Sequence, residues 1–388
     1  MVVGITSAQT CLVLTRRLRA LRLAGFEVTL VSSPGELLTR TAEAEGVRAK
    51  AIPMRRGIAL FADLRSFFAL CVFVLVERQT ILAFSTPKAG MLGSLAAWIV
   101  GVPHRVYTLR GLKLESAAGW KRAVLLWSER IAALSAHVVL CNSASLRMEA
   151  IALGVAKEAK LVVLGDGSSN GVDTERFRPG PSDVRMRLDI PANDLVVGFV
   201  GRLTFDKGIP ELLEAFEQIL VRHPTCWLLL VGWFDEAEDA LSLRCRAQIA
   251  DHPRIRHTGF VADAAEYYRA MDILILPTHR EGFPNVVLEA AASGLPVITT
   301  ESTGARDAVL AEVTGLLVPP GYPEAIAEAA FVLLGSAERR AKMGSAAREW
   351  VKERFSNERV LGLATEFYIG LLRPDEAARL FDPANGPR

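Results

Sequence analysis

Short apolar runs alternate with longer amphipathic stretches along most of the chain. Six runs in the first half predict strands, at residues 2–6, 27–31, 81–84, 106–108, 138–140 and 161–164. Six more in the second half do so, at residues 196–200, 227–231, 255–259, 273–276, 297–300 and 316–318. Helical stretches separate most of these runs, and such alternation is typical of parallel, doubly wound sheets. The sequence therefore predicts an α/β protein with two Rossmann-like halves.

A chain of 388 residues is long enough for two domains that each bury a core. Gly, Pro, Ser and Asp cluster between residues 170 and 194, where we expect the boundary. We therefore predict an N-terminal domain over residues 1–180 and a C-terminal domain over residues 181–359.

The first stretch with candidate chemistry is Gly-Arg-Leu-Thr-Phe-Asp-Lys-Gly, residues 201–208. It follows a predicted strand, so Arg202 and Lys207 should lie at the carboxyl end of a parallel sheet, where open α/β sheets bind ligands. A planar guanidinium and a point-charge ammonium together suit a diphosphate. The alternative is that both are ordinary surface charges.

The second stretch is Glu-Gly-Phe-Pro-Asn-Val-Val-Leu-Glu, residues 281–289, and it follows another predicted strand. Pro284 fits a first helical turn, so a helix should open here. The unpaired amides and the dipole of a helix start attract anions. The predicted anion site is formed by Gly282, Phe283, Pro284, Asn285 and Val286.

Two carboxylates flank this predicted helix start. Glu281 lies just before it, and Glu289 lies about two turns along it, between Val-Val-Leu and Ala-Ala-Ala. A carboxylate buried there needs a partner, because an unpaired charge is costly. Ribose hydroxyls would supply one, as they do for the acid of other nucleotide-binding folds; the alternative is a locally paired residue on a polar helix face. We interpret His279, two residues before Glu281, as a loop residue without a role.

Together the two stretches closely resemble the donor site of the retaining glycosyltransferase family 4, and in particular its bacterial capsule and exopolysaccharide members. The resemblance implies the GT-B fold, with two Rossmann-like domains facing a cleft and a last helix, from about residue 360 to 388, packing back on the first domain. It also implies that a sugar moves from a nucleotide sugar, expected to be a UDP-sugar, to a lipid-linked saccharide with retention of configuration. Arg202 and Lys207 would stabilise the leaving diphosphate, Glu281 would bind the transferred sugar, and Glu289 would bind the ribose.

Three further positions extend the resemblance. Lys88, in Thr-Pro-Lys-Ala-Gly, resembles a segment of capsule-type members and could meet an acceptor phosphate, although a solvated loop lysine fits as well. Arg110 stands where many members carry a histidine that contacts the transferred sugar, so we regard Arg110 as a candidate acceptor-binding residue. Phe260 resembles a segment that meets the nucleotide base, and a plain turn after a strand is an equal alternative.

Charge is unevenly divided along the chain. Residues 1–180 hold 23 Lys and Arg against 13 Asp and Glu, a net charge of +10, and the remainder carries −8. A basic domain of this kind is expected to meet an anionic membrane surface. Part of the excess lies in residues 16–22, where four arginines alternate with leucines; this predicts either a membrane-docking helix or an ordinary surface helix. Aromatic residues do not interleave with the basic ones, so no nucleic-acid partner is expected.

Compartment and cofactors can also be judged from the sequence. The uncharged apolar run at residues 66–76 is shorter than the roughly 20 residues that span a bilayer. The N-terminus lacks a basic region before its apolar run, and five scattered cysteines are typical of a reducing compartment. We expect a cytoplasmic protein that can associate peripherally with the inner face of the membrane. There is no Asp-x-Asp pair, so we expect neither an obligatory metal nor another cofactor.

Two alternatives to the lipid-linked acceptor remain open at this point. One is a GT-B glycosyltransferase with a soluble acceptor. The other is a non-catalytic protein that binds nucleotide sugars.

Overall fold

Two separate parallel sheets contain the main strands of the computed structural model, in which residues 1–55, 57, 59–235 and 240–372 are described. One unit comprises Met1–Asn170 together with the chain from Glu358 onward, and the other comprises Gly171–Asn357. The predicted fold class, two Rossmann-like domains with parallel sheets, is confirmed.

The sheet of the first unit has seven strands in the order β3-β2-β1-β4-β5-β6-β7, all parallel. The strands are β1 (Val2–Gly4), β2 (Thr29–Ser32), β3 (Arg48–Ala51), β4 (Ile81–Ser85), β5 (His104–Leu109), β6 (Val138–Cys141) and β7 (Leu161–Val163). The helices between them are α1 (Arg17–Leu23), α2 (Glu36–Glu45), α3 (Leu60–Glu77), α4 (Pro87–Val100), α5 (Gly119–Ser135) and α6 (Ala144–Ala152). The chain reverses its direction across the sheet between β1 and β4, which makes that position the topological switch point.

The sheet of the second unit has six strands in the order β10-β9-β8-β11-β12-β13, again all parallel. They are β8 (Val196–Val200), β9 (Trp227–Val231), β10 (Ile255–His257), β11 (Ile273–Leu276), β12 (Val297–Thr300) and β13 (Gly315–Val318). The helices are α7 (Val184–Arg187), α8 (Ile209–Arg222), α9 (Leu243–Asp251), α10 (Ala265–Tyr268), α11 (Asn285–Ala292), α12 (Pro323–Leu334) and α13 (Ala337–Phe355). The switch point of this unit lies between β8 and β11.

The boundary between the units lies at Asn170–Gly171, at the start of the segment 170–194 where it was expected and ten residues before the predicted domain limit of 180. Residues after Gly171 pack in the second unit: the Phe177 ring meets the Tyr268 ring edge-on, with centroids 5.7 Å apart. The amide of Val172 also donates to the carbonyl of Phe355 over 2.8 Å. The Gly- and Pro-rich composition therefore marked an irregular segment, but packing assigns its first residues to the second unit.

The last described helix, α14 (Asn357–Leu372), belongs to the first unit from Glu358 onward. Its residues Phe367 and Tyr368 are buried in a hydrophobic cluster with Met1, Val3 and other residues of the first unit. The helix expected over residues 360–388 thus contributes to the core of the N-terminal domain as far as the structure describes it. The predicted residues 373–388 lie outside the described part of the chain.

Candidate active site

The candidate site lies at the switch point of the second sheet. The loop after β8 and the loop after β11 leave the carboxyl ends of neighbouring strands, which is where open α/β sheets form a crevice. Lys207 in the first loop forms an ion pair with Glu281 in the second. Their side chains are only 18% and 16% exposed, so little water screens the pair. The fold therefore brings together two candidate residues that are 74 positions apart in the sequence.

Two further contacts fasten these loops to each other. The Phe205 ring stacks on the His279 ring with a centroid separation of 5.4 Å and an interplanar angle of 5°. Asp206 forms an ion pair with Arg280, and its carbonyl accepts a hydrogen bond from the His279 amide over 2.9 Å. Three consecutive residues of one loop thus meet three consecutive residues of the other, which fixes the position of Lys207 relative to Glu281.

His279 has a structural role that sequence reasoning missed. Its Nε2 lies 2.9 Å from Oε1 of Glu211, in α8, and this hydrogen bond raises the pKa of the imidazole. The ring is therefore held on both sides, by Glu211 and by Phe205. Only its position two residues before Glu281 could have indicated that it belongs to the site.

Arg202 lies in the same loop as Lys207 but has a different partner. Its Nη1 is 2.5 Å from Oδ2 of Asp235, which follows β9, and its side chain is 42% exposed. Near this strand end the Phe260 ring meets the Trp233 ring edge-on with a centroid separation of 5.5 Å, and both rings are exposed. Trp233 was not among the predicted residues, although it follows a predicted strand just as Arg202 does.

The helix that starts near Glu281 is α11, and it begins one residue later than predicted. Pro284 is the residue before the first helical one, with extended backbone angles, and no side chain caps the helix start. The Phe283 side chain is buried in the core, where its ring centroid lies 5.3 Å from that of Phe355. Phe283 can therefore offer a ligand only its backbone. Asn285 and Val286 are partly exposed in the first turn.

Glu289, in α11, has a protein partner that the sequence did not reveal. The Tyr268 hydroxyl donates to Oε2 of Glu289 over 2.7 Å. Burial raises the pKa of Glu289 to about 7, and the hydrogen bond from Tyr268 opposes that increase. Among the described residues, Tyr268 is the only one that hydrogen-bonds the Glu289 carboxylate. The carboxylate is therefore fixed in direction, and it titrates in the neutral range.

The two candidate acceptor-binding residues of the first unit, Lys88 and Arg110, have different surroundings. Lys88 is not a solvated lysine: its ammonium lies 2.7 and 2.8 Å from the two carboxylate oxygens of Asp63 and also donates to the carbonyl of Gly57. These partners engage all three N–H donors of Lys88, and its contact with an acceptor phosphate stays a prediction. Arg110 is partly buried, and its Nη1 donates to Oγ of Ser169 over 2.8 Å.

The basic segment at residues 16–22 forms a short helix with one buried face. Its helical part, α1, is seven residues long, and Arg17, Leu18 and Leu21 are buried. The exposed arginines bind the neighbouring helix α2, where Arg19 donates to the carbonyl of Ala44 over 2.6 Å. The chain folds part of the apolar face and one arginine inward, as in an ordinary surface helix, and membrane docking of this segment stays a prediction. No helix within the described ranges is long and apolar enough to cross a bilayer.

Comparison with protein families finds two matches that cover the two units in turn. A family described as glycosyl transferases group 1 matches residues 183–350, and one described as glycosyl transferase 4-like domain matches residues 12–167. The capsular polysaccharide biosynthesis glycosyltransferase CapM of Staphylococcus aureus is 35% identical over 373 residues, which cover 96% of this chain and 97% of CapM. A UDP-Gal:alpha-D-GlcNAc-diphosphoundecaprenol alpha-1,3-galactosyltransferase of Escherichia coli is 28% identical over 300 residues, 76% of each chain.

Solved structures with lower sequence identity share the fold. HepE of Anabaena, crystallised with UDP, has a TM-score of 0.78 and 21% identity, with 95% of this chain and 99% of that one covered. Sucrose-phosphate synthase of Thermosynechococcus elongatus has a TM-score of 0.80 and 21% identity, with 96% and 100% covered.

Proposed function

This chain belongs to glycosyltransferase family 4, the GT-B family that its motifs resemble, and from that premise we propose that it transfers a sugar from a UDP-sugar to a lipid-linked saccharide with retention of configuration. That the chain is a glycosyltransferase follows from its family. We place its reaction in capsule or other cell-surface polysaccharide synthesis, at the inner face of the membrane.

The observation that carries the proposal is the meeting of Lys207 and Glu281 at the switch point of the second sheet. In our proposal Lys207 and Arg202 bind the diphosphate and stabilise the charge that develops on it as the glycosidic bond breaks. Both cations have carboxylate partners, Glu281 and Asp235, and a diphosphate would compensate the same charges. This electrostatic stabilisation requires no obligatory metal ion.

Neighbouring groups complete the proposed donor site. The helix start at Asn285 and Val286 adds partial positive charge toward the diphosphate. Glu281 binds hydroxyls of the transferred sugar, and Glu289, oriented by Tyr268, accepts hydrogen bonds from the ribose.

Names of relatives support the choice of donor and acceptor. The Escherichia coli relative is named for a UDP-sugar donor and a diphosphoundecaprenol-linked acceptor, and the staphylococcal one for capsular polysaccharide biosynthesis. The pair of exposed rings, Trp233 and Phe260, lies at the ends of β9 and β10, beside the β8 loop that carries Arg202. We propose that this pair contacts the uracil face.

The pH dependence of donor binding tests the role of Glu289. We expect the affinity for a UDP-sugar to rise with pH through about 7, because the ionised carboxylate is the better hydrogen-bond acceptor. Glu289→Gln should bind about 10- to 100-fold more weakly at pH 8 and lose this pH dependence. Tyr268→Phe removes a contact that lowers the pKa of Glu289, so its binding curve should shift to higher pH and approach the wild-type affinity near pH 9. Calorimetric titration with a panel of nucleotide sugars measures the affinity of the wild type and of both variants at each pH.

Tyr322→Phe is the matched control, since Tyr322 is an exposed tyrosine of the same unit. It should bind as the wild type does at every pH. If no nucleotide sugar of the panel binds the wild type, the donor site proposed here is wrong. Equal binding by the wild type and Glu289→Gln would leave the site in place but remove Glu289 from it.

An apolar stripe on α3 supports the membrane part of the proposal. Side chains at helical spacing along one face are exposed by 54–92%: Phe61, Leu64, Phe68, Val72 and Leu75. The opposite face is buried through Ser66, Leu70, Phe73 and Val74. Such a face is stable in contact with lipid, where apolar side chains leave water. Trp120, Lys121 and Arg122, exposed at the start of α5, provide an aromatic ring and two cations suited to the interface of an anionic bilayer.

Vesicle binding tests this surface and also distinguishes a soluble acceptor. Phe61→Ser combined with Phe68→Ser should lower partitioning onto vesicles of anionic phospholipid at least tenfold, because each buried ring contributes roughly 1.5–3 kcal/mol. Val221→Ser combined with Leu243→Ser removes two apolar side chains of the second unit that are each 84% exposed, and this change should have no effect. Cosedimentation measures both. If the wild type does not bind these vesicles, the soluble-acceptor alternative is favoured.

A further inference from the structure

A buried arginine, Arg17, and a partly buried one, Arg110, converge on one residue of the first unit. Arg17, the first residue of α1, donates to the carbonyl of Ser169, and Arg110, directly after β5, donates to Oγ of the same residue over 2.8 Å. Asn142, directly after β6, donates to that Oγ as well, over 2.9 Å. Ser169 itself follows β7, so the two guanidinium groups lie among the carboxyl ends of three neighbouring strands.

Neither arginine forms an ion pair with a carboxylate among the described residues. Arg17 is 6% exposed, and Nε of each guanidinium is enclosed without a hydrogen-bond partner. The charges that act on Arg110 come from Arg17, which is also a cation, and from Tyr368 of α14. Burial keeps the Tyr368 phenol neutral by raising its pKa. Burial and then the charge of Arg17 lower the pKa of Arg110 to about 9, so Arg110 is still cationic at neutral pH. Burial also lowers the pKa of Arg17, but an arginine side chain keeps its charge in proteins.

Two neighbouring cations, one buried and one partly buried, are an unfavourable arrangement in a protein when no counterion pairs with them. Burying an ion costs several kcal/mol, and the like charge adds repulsion. A bound anion would remove both costs. Arg110 keeps some solvent access, whereas Arg17 is enclosed, so an anion could approach past Arg110 and be held by both.

The chemistry of the pair favours a phosphate. Guanidinium forks match phosphate oxygens in pairs, and each arginine here has an enclosed N–H without a partner. A neutral saccharide would compensate neither charge. Among the charged groups on the acceptor side of the reaction, a phosphate ester or diphosphate is the one that a lipid-linked saccharide carries next to its sugar.

We propose that Arg17 and Arg110 form an anion site that binds the phosphate group of the acceptor, an assignment that rests on the proposed transfer to a lipid-linked saccharide. Arg17 would act from within the core and Arg110 from its surface. Ser169 and Asn142 fix the direction of the guanidinium groups and are positioning residues.

Titration with two phosphate probes in saturating UDP tests the site, since UDP then fills the donor site. Farnesyl diphosphate represents a lipid-linked source, and inorganic pyrophosphate represents a free one. We expect farnesyl diphosphate to bind the wild type at least tenfold more tightly than pyrophosphate does. Arg110→Met should weaken both at least tenfold, and Arg17→Lys, which keeps the charge without the fork, should weaken both severalfold.

Thermal unfolding without any anion distinguishes a binding role of Arg110 from a purely structural role. Arg110→Met leaves Oγ of Ser169 with Asn142 as a donor and removes one of two repelling charges, so its Tm should equal or exceed that of the wild type. Arg40→Met is the control, because Arg40 is an exposed arginine of the same unit with one helical ion pair, and it should change neither probe affinity nor anion response.

The possible results separate this inference from the proposed function. If UDP does not bind, the donor proposal fails, and the same titration is then run in a Lys207→Ala background. Absence of diphosphate binding, or binding that Arg110→Met leaves unchanged, would overturn the anion site. Equal affinity for both probes would overturn its assignment to the lipid-linked acceptor. Weakening of UDP binding by Arg110→Met to the same degree would assign the pair to the donor instead.

Discussion

Replacing Lys207 with methionine is expected to lower the rate of sugar transfer by about 10² to 10³-fold at saturating donor. Lys207 is held against Glu281, and its side chain is mostly buried, so the ammonium acts in a region of low water content. A charge placed there before the reaction stabilises the leaving diphosphate without reorganisation. Lys207→Arg keeps the charge but changes its shape, so a smaller loss is expected. Single-turnover kinetics, with the nucleotide sugar that binds in the calorimetric titration as donor, would measure the effect on the transfer step itself.

A second variant separates catalysis from folding. Lys207→Met leaves the Glu281 carboxylate without its partner, which should also lower the free energy of unfolding. Adding Glu281→Gln removes the uncompensated charge, so the double variant should regain stability but not activity. Lys352→Met, which removes an exposed lysine of α13, is the control and should behave as the wild type. Recovery of activity together with stability in the double variant would show that Lys207 is structural.

Most of the strands were predictable because they are apolar runs in a sheet covered on both sides. Runs 196–200, 227–231, 273–276 and 297–300 coincide with β8, β9, β11 and β12. The strand that the sequence did not reveal is β3, Arg48–Ala51. It lies at the edge of its sheet, and all four of its residues are exposed, so no apolar run marks it. Periodicity therefore indicates burial, and it fails where a strand is not buried.

Candidate residues could be recognised from their position after strands, but their partners could not. The partners come from elements far away in the sequence. Asp63 is 25 residues from Lys88, and Tyr268 is 21 residues from Glu289. Each partner adds a contact that the sequence did not show: Asp63 pairs with Lys88, and Tyr268 orients Glu289. The same limit applies to Arg17, which reads as one of four basic residues in a surface helix and is in fact enclosed beside Arg110.

The apolar run at residues 66–76 is a further example of a segment whose surroundings the sequence does not reveal. Its composition alone suggests a wholly buried segment, yet it forms most of α3, whose outer face exposes Phe68, Val72 and Leu75. A helix that is apolar on both faces leaves one of them to be covered by something other than its own unit. The sequence contains the stripe at helical spacing, but only the fold shows which face is already occupied.

Gly304→Ala is expected to reduce transfer about 100-fold although Gly304 has no reactive group. Its φ is +75°, and an added Cβ would lie 2.5 Å from the carbonyl oxygen of Gly282 and 2.6 Å from that of Glu281. Both oxygens belong to the backbone, so the clash with the added Cβ can be relieved only by moving the turn that carries Glu281. The amide of Glu281 also donates to the carbonyl of Thr303 over 3.0 Å, which links the two loops directly. A displacement on the order of 1 Å at a reacting centre costs about 10²-fold.

Gly101→Ala is the matched control for Gly304→Ala, and it should lower stability without lowering activity. A left-handed conformation costs a non-glycine residue roughly 1–2 kcal/mol wherever it occurs. Gly101, at the end of α4, has a φ of +81° and no atom within 4 Å of an added Cβ. Gly101→Ala should therefore lower the free energy of unfolding, measured by urea unfolding, only by this backbone cost. It should keep full activity. Gly304→Ala should lose more stability and most activity while retaining UDP binding through Glu289. Full activity in folded Gly304→Ala would show that the position of the Glu281 turn does not limit the reaction, and Glu281 would then have to act through a part of the loop that can move independently of Gly304.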